Sequence, residues 1–402
     1  MNANVFELLD LVARWVHVIA GIMWVGNSLL FNWLDRTLRP SSRAGEGLSG
    51  ESWLLHSGGF YFVEKTQLVG QALPSPLHWF KWQAYTTWLS GAVLLIVVYY
   101  VGGRAVMAEP GVSSLSHGVA VAVGAGAIVG GWALYEFIQR VIAPRVPVVA
   151  TAVLLVLFVG LVYALTHLLN GRAAFIHVGA LMATIMAGNV AMTIIPSQRL
   201  LVQSVLGSGR ADAAISARAK RVSIHNNYFT FPVIALMMSG HFASINGHRW
   251  NWSLLLLIVA TGTAVRHLLN IRFTFRQWVP TVGATVVVSV ACLLAALSSQ
   301  MANDDGVTTT LDLSTRVAFD DARRIIDRRC AACHSAQPSD LTFGIGPVGV
   351  MFDTPEQIVA RLARVRARAV VTRTMPPGNK THITDRERAL LGRWIDQGGS
   401  IR

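Results

Sequence analysis

Residues 146–169, VPVVATAVLLVLFVGLVYALTHLL, form the stretch that decides the fold. They contain no Lys, Arg, Asp or Glu, and about 20 mostly apolar residues are enough for a helix to cross the hydrocarbon core of a membrane. Seven further apolar runs have similar lengths and end at polar or Pro/Gly breaks. The pattern predicts eight membrane-spanning helices, near residues 6–34, 78–101, 116–139, 146–169, 172–195, 228–246, 249–271 and 280–300.

The composition of the whole chain agrees with a membrane protein. Of 402 residues, 53% are hydrophobic and 14% are charged, whereas about 25% are charged in an ordinary soluble protein. This difference excludes a soluble globular enzyme. The formal net charge of +13 would suggest a nucleic-acid partner in isolation, but the basic residues follow membrane sidedness and form no aromatic-studded patch, so we expect no nucleic acid.

The positions of Lys and Arg predict the orientation, because these residues stay preferentially in cytoplasmic loops. With the N-terminus outside, the outside segments carry Arg104, Arg172 and Arg249. The inside loops then carry Arg36, Arg39, Arg43, Lys65, Arg140, Arg145, Arg199, Arg210, Arg218, Lys220, Arg221, Arg272 and Arg276. Eight spans return the C-terminus to the outside, so we expect both termini on the periplasmic side of a bacterial inner membrane.

Two of the inside segments are long enough to hold structure of their own. Residues 35–77 include WLLHSGGFYFVEKTQLVG, in which Gly58-Gly59 between two apolar and aromatic runs predicts a β-hairpin. Residues 196–227 include the basic amphipathic stretch ADAAISARAKRVSIHNN, which we interpret as an interfacial helix.

The chain divides into a membrane domain, residues 1–300, a polar linker, residues 301–314, and a small soluble helical domain, residues 315–402. The last domain has the size of a minimal c-type cytochrome. The predicted fold class is therefore all-α, a polytopic eight-helix bundle followed by a class I-like cytochrome c domain.

Cys330-Ala331-Ala332-Cys333-His334 has the C-x-x-C-H pattern of covalent haem attachment. The two thiols can add to the two vinyl groups of a haem, and His334 is then placed to bind the iron. We expect one haem c, held by Cys330, Cys333 and His334. Because haem is attached in the periplasm of bacteria, the motif independently predicts a periplasmic C-terminus.

Met375 is the expected second axial ligand of this haem. It lies in Thr-Met-Pro-Pro-Gly, where Pro376 and Pro377 stiffen a loop that can present a thioether to iron. Met351 is the alternative ligand.

Two helices should frame the haem motif. Residues 319–329, FDDARRIIDRR, lead into it, and Thr384 can cap a final helix that ends before Gly398-Gly399. We expect Phe319 and Trp394 to pack where these helices cross.

Polar residues inside the predicted spans are costly and therefore functional candidates. In the outer half, His17, His177 and His241 are candidates for binding a haem b between facing helices. The alternative is that each histidine is only hydrogen-bonded between helices, and both interpretations stay open.

In the inner part, Lys81, Arg266 and His267 form a basic group that could receive a planar anion. Asn226 and Asn227 add amide donors and acceptors. The alternative is structural: Lys81 extends to the interface, while Arg266 pairs with Glu136.

Several stretches together identify a family resemblance. RWVHVIAGIMWVGNSLLFNWLD (14–35), HSGGFYFVEK (56–65), LHWFKWQAYTTWLSG (77–91), SIHNNYFTFPVIALMMSGHF (223–242), CAACH (330–334) and TMPPGNKT (374–381) resemble the bacterial membrane-bound urate oxidase (urate hydroxylase) family. The resemblance covers nearly the whole chain, and it implies an eight-helix membrane domain joined to a cytochrome c.

The resemblance further implies oxidation of urate to 5-hydroxyisourate in purine catabolism, with electrons passed to the haem c and then to a periplasmic or membrane cytochrome of the respiratory chain. On this basis we assign Lys81 and Arg266 as anchors of the substrate anion, and His225 or His267 as the base. An outer site near Arg14 and His17 is the alternative location.

Two other functions remain to be compared with this one. The first is a membrane cytochrome that oxidises quinol or another small molecule. The second is a purine or urate transporter with a regulatory haem domain, although the absence of inverted repeats and broken helix pairs in the sequence weighs against it.

Overall fold

A computed structural model of the chain describes residues 3–40, 48–66, 68, 72–101, 107–108, 112–208, 212–308, 316–336, 349–379 and 381–401. The described part is mostly helical. Its α-helices are α1 Ala3–Thr37, α2 Trp82–Leu94, α3 His117–Phe137, α4 Pro147–Leu168, α5 Gly171–Asn189, α6 Ile195–Ser208, α7 Ala213–Met238, α8 Ala243–Asn246, α9 Asn251–Ile271, α10 Trp278–Thr308, α11 Phe319–Arg329, α12 Pro355–Val359, α13 Leu362–Val365 and α14 Asp385–Asp396. Its two strands are β1 Leu48–His56 and β2 Gly59–Thr66.

Seven helices of the described part are long and apolar enough to cross a membrane. They are Leu8–Thr37, Trp82–Tyr100, His117–Ile142, Pro147–Leu168, Gly171–Gly207, Asn251–Ile271 and Trp278–Ser298. Each falls on one of the eight apolar runs of the sequence. The helical character of the chain and seven of the predicted spans are thus confirmed at the level of length and composition.

The remaining run, residues 228–246, does not form a single apolar helix. Helix α7 ends at Met238, and a 3₁₀ turn, Ser239–His241, and the short helix α8 continue the path. This path follows α5 closely: a Cβ on Gly179 would lie 3.1 Å from Leu236 Cβ, and one on Gly171 would lie 1.9 Å from the Asn246 carbonyl oxygen. Residues 236–246 therefore run beside the first half of α5.

The basic stretch that was interpreted as an interfacial helix is helical, and it continues without a break into the following apolar run. Residues 213–227 are the first half of α7, which begins at an N-cap where the Asp212 side chain accepts from Ala214 N at 2.7 Å. No helix-breaking residue separates the two halves before Pro232, so the helix continues through the polar residues.

Helix α5 also extends beyond its predicted end at residue 195. A π-helical turn, Val190–Ile194, joins it to α6 and gives a helix that reaches Ser208. The π-helical turn lies just before Pro196. Proline has no backbone N–H, so the regular hydrogen-bond pattern of the α-helix cannot continue through it, and the wider π-helical turn accommodates this change.

Helix α5 is the centre of the bundle. In its apolar segment 61% of residues are buried, against 28% or less in the other six spans. Small residues allow this packing: a Cβ on Gly131 would lie 2.9 Å from Leu181 Cδ1. The core around α5 includes Ala173, Ala174, Phe175 and Val178.

The predicted β-hairpin is confirmed. Strands β1 and β2 are antiparallel, with Trp53 opposite Phe62. The turn residues Ser57 and Gly58 both have positive φ, 50° and 77°, as tight hairpin turns require.

The C-terminal region has its own hydrophobic core. The Phe319 and Trp394 rings lie 5.7 Å apart where α11 meets α14, as predicted. Thr384 caps α14 in a capping box with Glu387, and Gly398 follows the helix with φ of 97°. Helix α10 continues to Thr308, so the first part of the predicted linker is helical, and residues 309–315 lie outside the described part.

Candidate functional site

Four consecutive residues of α7, His225 to Tyr228, hydrogen-bond to three neighbouring helices. His225 Nδ1 lies 2.8 Å from the Tyr135 hydroxyl of α3, and Asn226 Oδ1 accepts from Asn189 Nδ2 of α5 at 2.8 Å. The next two residues bond to α9. Because successive helical residues point about 100° apart, four in a row reach neighbours all around α7. We call this set the polar network.

The first branch of the polar network joins α3, α5 and α7. Asn189 is fully buried, and its Nδ2 donates both to Asn226 Oδ1 and to the Tyr135 hydroxyl, at 3.1 Å. Asn226 Nδ2 donates to the Met186 carbonyl at 2.9 Å. The sequence did not indicate Tyr135 as a candidate site residue, because an uncharged tyrosine is not unusual in an apolar run.

The second branch joins α7 to α9 through Arg266. Its side chain is 1% exposed, and Nε donates to the Asn227 side-chain oxygen at 3.1 Å. Asn270 Nδ2 donates to the same oxygen at 2.7 Å. The helices can approach here because a Cβ on Gly262 would lie 2.9 Å from Pro232 N.

Arg266 forms no ion pair with any carboxylate of the described residues. Glu136 instead pairs with Arg140 at 2.9 Å, so the alternative pairing of Arg266 with Glu136 is wrong. Glu136 and Arg140 are one turn apart on the same chain segment, which makes their pairing local. Arg266 Nη2 and Asn270 Oδ1 are both buried without a hydrogen-bond partner.

The polar network lies near one end of the bundle. Arg266 is 15 residues after the start of α9, or about 22 Å along the helix axis. Asn189 is 18 residues after the start of α5, or about 27 Å. In a hydrocarbon core of about 30 Å, both residues lie toward the same side, the one predicted from the sequence to hold Arg266 and His267.

The structure places three of the four predicted membrane-site residues around one stretch of α7, on different sides of that helix. His225, Arg266 and His267 belong to the polar network, where His267 Nδ1 lies 2.8 Å from the Tyr228 hydroxyl. Lys81 is at the N-terminal end of α2, with Nζ 5.6 Å from the Trp82 ring centroid. Helix α2 packs mainly on α1 and α5, whereas α9 packs mainly on α7 and α10.

The two histidines of the network differ in exposure. His225 is half-buried between α3 and α7, whereas His267 is exposed on the outer surface of the bundle. The arrangement favours His225 over His267 for proton exchange inside the protein.

Of the three histidines that are candidates for binding a haem b, His177 and His17 form hydrogen bonds to other residues of the helix bundle. His177 is fully buried, its Nδ1 donates to the Ala173 carbonyl at 2.7 Å, and its Nε2 lies 3.2 Å from the Tyr100 hydroxyl. A Cβ on Gly124 would lie 2.4 Å from that Nε2. A haem iron would need the space that Tyr100 and Gly124 occupy, so His177 as packed does not fit a haem b.

The other two histidines add no matching ligand. His17 Nδ1 donates to the Thr87 carbonyl at 2.9 Å and its ring packs on Gly91. His241 is exposed in the 3₁₀ turn after α7. The contacts of His17 and His177 agree with the hydrogen-bonded alternative, and the haem b assignment stays a prediction. Arg14, of the alternative outer site, bonds Asp10 at 2.8 Å.

The residues of the C-x-x-C-H motif fit a covalent haem. His334 Nδ1 donates to the Val350 carbonyl at 3.0 Å, which fixes the tautomer and leaves Nε2 as the iron-binding nitrogen. Burial raises the pKa of the Cys330 thiol to about 12, so this position suits an uncharged thioether sulfur.

Met375, the predicted second axial ligand, lies in a loop that is fixed by hydrogen bonds. Met375 packs against the same hydrophobic core as Cys330 and Val350. Its loop is held by the buried Arg388, whose Nη1 donates to the Met375 carbonyl at 2.8 Å and also to the Ala369 carbonyl.

A second clamp holds the following part of the loop. Arg329 pairs with Glu387 at 2.9 Å and donates to the Thr381 carbonyl at 2.5 Å. Burial raises the pKa of Glu387, but hydrogen bonds from the Thr384 backbone and Arg329 outweigh it and hold that pKa below its ordinary value.

These features define a class of protein: a mostly helical chain with seven apolar helices of membrane-spanning length and a buried polar network among them. The chain belongs to the urate oxidase N-terminal family, which it matches over residues 3–297. The match includes every residue of the polar network and ends before the C-x-x-C-H motif. No curated protein and no solved structure matches the chain.

Proposed function

We propose that the protein is a membrane-bound urate oxidase that converts urate to 5-hydroxyisourate and passes the electrons to its own C-terminal haem c. The observation that carries the proposal is Arg266, a buried arginine without a carboxylate partner among the described residues, in a chain of the urate oxidase N-terminal family. A buried charge needs a compensating partner, and urate is an anion at neutral pH.

The reaction balances without oxygen as a reactant. A C–O bond forms between a water oxygen and C5 of urate, and two protons and two electrons leave. The electrons require an acceptor, which we assign first to the haem c and then to a respiratory cytochrome.

We assign Arg266 as the anchor of the urate anion and His225 as the base; Lys81, the other predicted anchor, lies on α2 outside the polar network. The Tyr135 hydroxyl accepts from Asn189 Nδ2 and lies 2.8 Å from His225 Nδ1, so this ring nitrogen is already engaged in a hydrogen bond. We therefore assign proton acceptance to Nε2. His267 remains the second candidate for the base, because its contact with Tyr228 has the same form.

The haem c would be held by Cys330 and Cys333, with His334 and Met375 as axial ligands. A haem bound in this way supplies a one-electron acceptor whose potential a methionine ligand raises. The hydrogen bond from His334 to Val350 and the clamp on the Met375 loop support this assignment.

We further propose that the chain crosses the bacterial inner membrane eight times, with residues 228–246 as the additional crossing beside α5. The inside loops then hold most of the Lys and Arg residues of the membrane domain, as the positive-inside rule predicts. Both the N-terminus and the cytochrome domain lie in the periplasm.

The proposal is tested by turnover of the purified protein in lipid nanodiscs with oxidised cytochrome c as acceptor. We expect 5-hydroxyisourate to form in step with acceptor reduction and no hydrogen peroxide. Peroxide formed in proportion to urate would contradict it. Acceptor reduction by quinol but not by urate would favour the quinol-oxidising alternative, and urate uptake into liposomes without product would favour the transporter.

A further inference from the structure

We propose that Arg266 and Asn270 together recognise a ureide edge, that is, an N–H beside a C=O, on an anionic ring. The inference rests on the proposed function, since it names the part of urate that the polar network would bind. It assigns a specificity role to Asn270, which no sequence motif indicates.

The two side chains are neighbours on one face of α9, because residues four apart in a helix lie together. Both bond to Asn227 Oδ1 of α7, at 3.1 Å from Arg266 Nε and 2.7 Å from Asn270 Nδ2. Arg266 Nη2 and Asn270 Oδ1 remain as a buried donor and a buried acceptor without partners.

The direction of these hydrogen bonds is fixed by chemistry. A guanidinium can only donate, so Asn227 must turn its oxygen toward Arg266. Asn270 must then present its nitrogen to that oxygen, which leaves Asn270 Oδ1 as an acceptor. One cationic donor and one neutral acceptor are thus left, on side chains one helical turn apart.

This combination selects among anions. A ureide edge of urate supplies a carbonyl or ring nitrogen to accept from Arg266 and an adjacent N–H to donate to Asn270. The phosphodiester group of a lipid has acceptors but no N–H, so it would leave Asn270 Oδ1 unpaired, and unpaired buried acceptors are costly.

An apolar surface adjoins the cation. The Phe231 ring centroid lies 5.4 Å from Arg266 Cζ. A flat heterocycle needs such a surface beside its polar edge.

The test measures equilibrium binding of urate to the full-length protein in nanodiscs, without oxygen and with the haem reduced so that no turnover occurs. We expect Arg266→Met to weaken binding about 10- to 100-fold, Arg266→Lys to weaken it less, and Asn270→Leu to weaken it about 10-fold. Arg140→Met is the matched control, because Arg140 forms an ion pair with Glu136. This variant should bind urate as the wild type does.

Singly N-methylated urates test the donor–acceptor pairing directly. One methyl position should weaken binding to the wild type about 10-fold and cause no further loss in Asn270→Leu, as coupled partners do in a double-mutant cycle. Folding of each variant is checked by its haem c spectrum and by size-exclusion chromatography. Folded Arg266→Lys and Asn270→Leu variants that bind urate like the wild type, or methyl effects that are unchanged in Asn270→Leu, would overturn the inference.

The outcomes separate this inference from the proposed function. Arg266-dependent binding of urate without product formation would leave the recognition site standing and remove the oxidase. Normal turnover in folded Arg266→Met and Asn270→Leu variants would leave the oxidase standing and remove the recognition site.

Discussion

Arg266 shows how a single residue can point to a function. Its charge is buried among apolar helices, where unpaired charges are costly, and its only side-chain hydrogen-bond partner among the described residues is the neutral Asn227. The sequence placed Arg266 in a span and left its partner open between Glu136 and a ligand. The structure removes Glu136 as the partner, because Glu136 is one helical turn from Arg140 and pairs with it.

At the same scale, the choice of base can be tested with His225→Gln and His267→Gln. We expect His225→Gln to lower kcat about 100-fold, the usual range for loss of a general base, and His267→Gln to change it by less than about threefold. Steady-state urate oxidation measures both. The opposite order would move the base to His267, and equal small effects would exclude both residues.

The axial ligand can be tested in the same way. We expect Met375→Ala to change the reduced haem spectrum and lower the reduction potential, because the thioether ligand raises it. Met351→Ala is the control and should leave both unchanged. An unaltered spectrum and potential in Met375→Ala would reject Met375 as the ligand.

At the scale of elements, the sequence predicted correctly those features that depend on residues close together along the chain. The capping box at Thr384, the turn of the β-hairpin and the apolar length of the spans all belong to this group. The start of α7 could not be predicted, because its first half has the amphipathic pattern of an interfacial helix. Contacts with α5 and α6 determine that it continues into the bundle.

The polar network was predictable only in part for the same reason. Charged and polar residues in apolar runs identified His225, Arg266 and His267 as candidates. Their partners depend on which helices are adjacent, and a single sequence does not contain that information. Tyr135 and the pairing of Asn227 with Asn270 therefore emerged only from the packing.

The clamp between α11 and α14 predicts a pH dependence of stability. The pKa of Glu387 is lower in the folded state than its ordinary value, so its contribution to stability is present above the ordinary pKa and is lost as the pH falls through the folded-state pKa. We expect the melting temperature of the C-terminal domain in the full chain, followed by haem absorbance, to fall below about pH 4.5. Glu387→Gln should lower the melting temperature at pH 7 and flatten the dependence, and an unchanged profile in that variant would contradict the account.

At the scale of the whole molecule, the net charge of +13 has two sources. In the proposed topology the basic groups of the first 300 residues lie mostly on one side of the membrane. The last domain adds a second excess of basic over acidic residues. The β-hairpin of residues 48–66 belongs to the side that carries most of the Lys and Arg, so we place it in the cytoplasm.

A cysteine at the hairpin turn tests this orientation. In a Cys292→Ser background, we expect Ser57→Cys to react with a membrane-impermeant maleimide in inside-out vesicles and not in intact spheroplasts. A periplasmic alkaline phosphatase fusion after residue 402 should be active in the same cells. Labelling of Ser57→Cys from the periplasmic side would reverse the proposed topology.

The central claim is that urate gives its electrons to the haem of the same chain. It is tested most directly by adding urate to the purified, oxidised protein without oxygen and recording the haem spectrum. Because urate gives up two electrons and each haem takes one, we predict that the c haem is fully reduced at about half an equivalent of urate, with formation of 5-hydroxyisourate. A haem that stays oxidised under excess urate, yet is reduced by dithionite, would contradict the account.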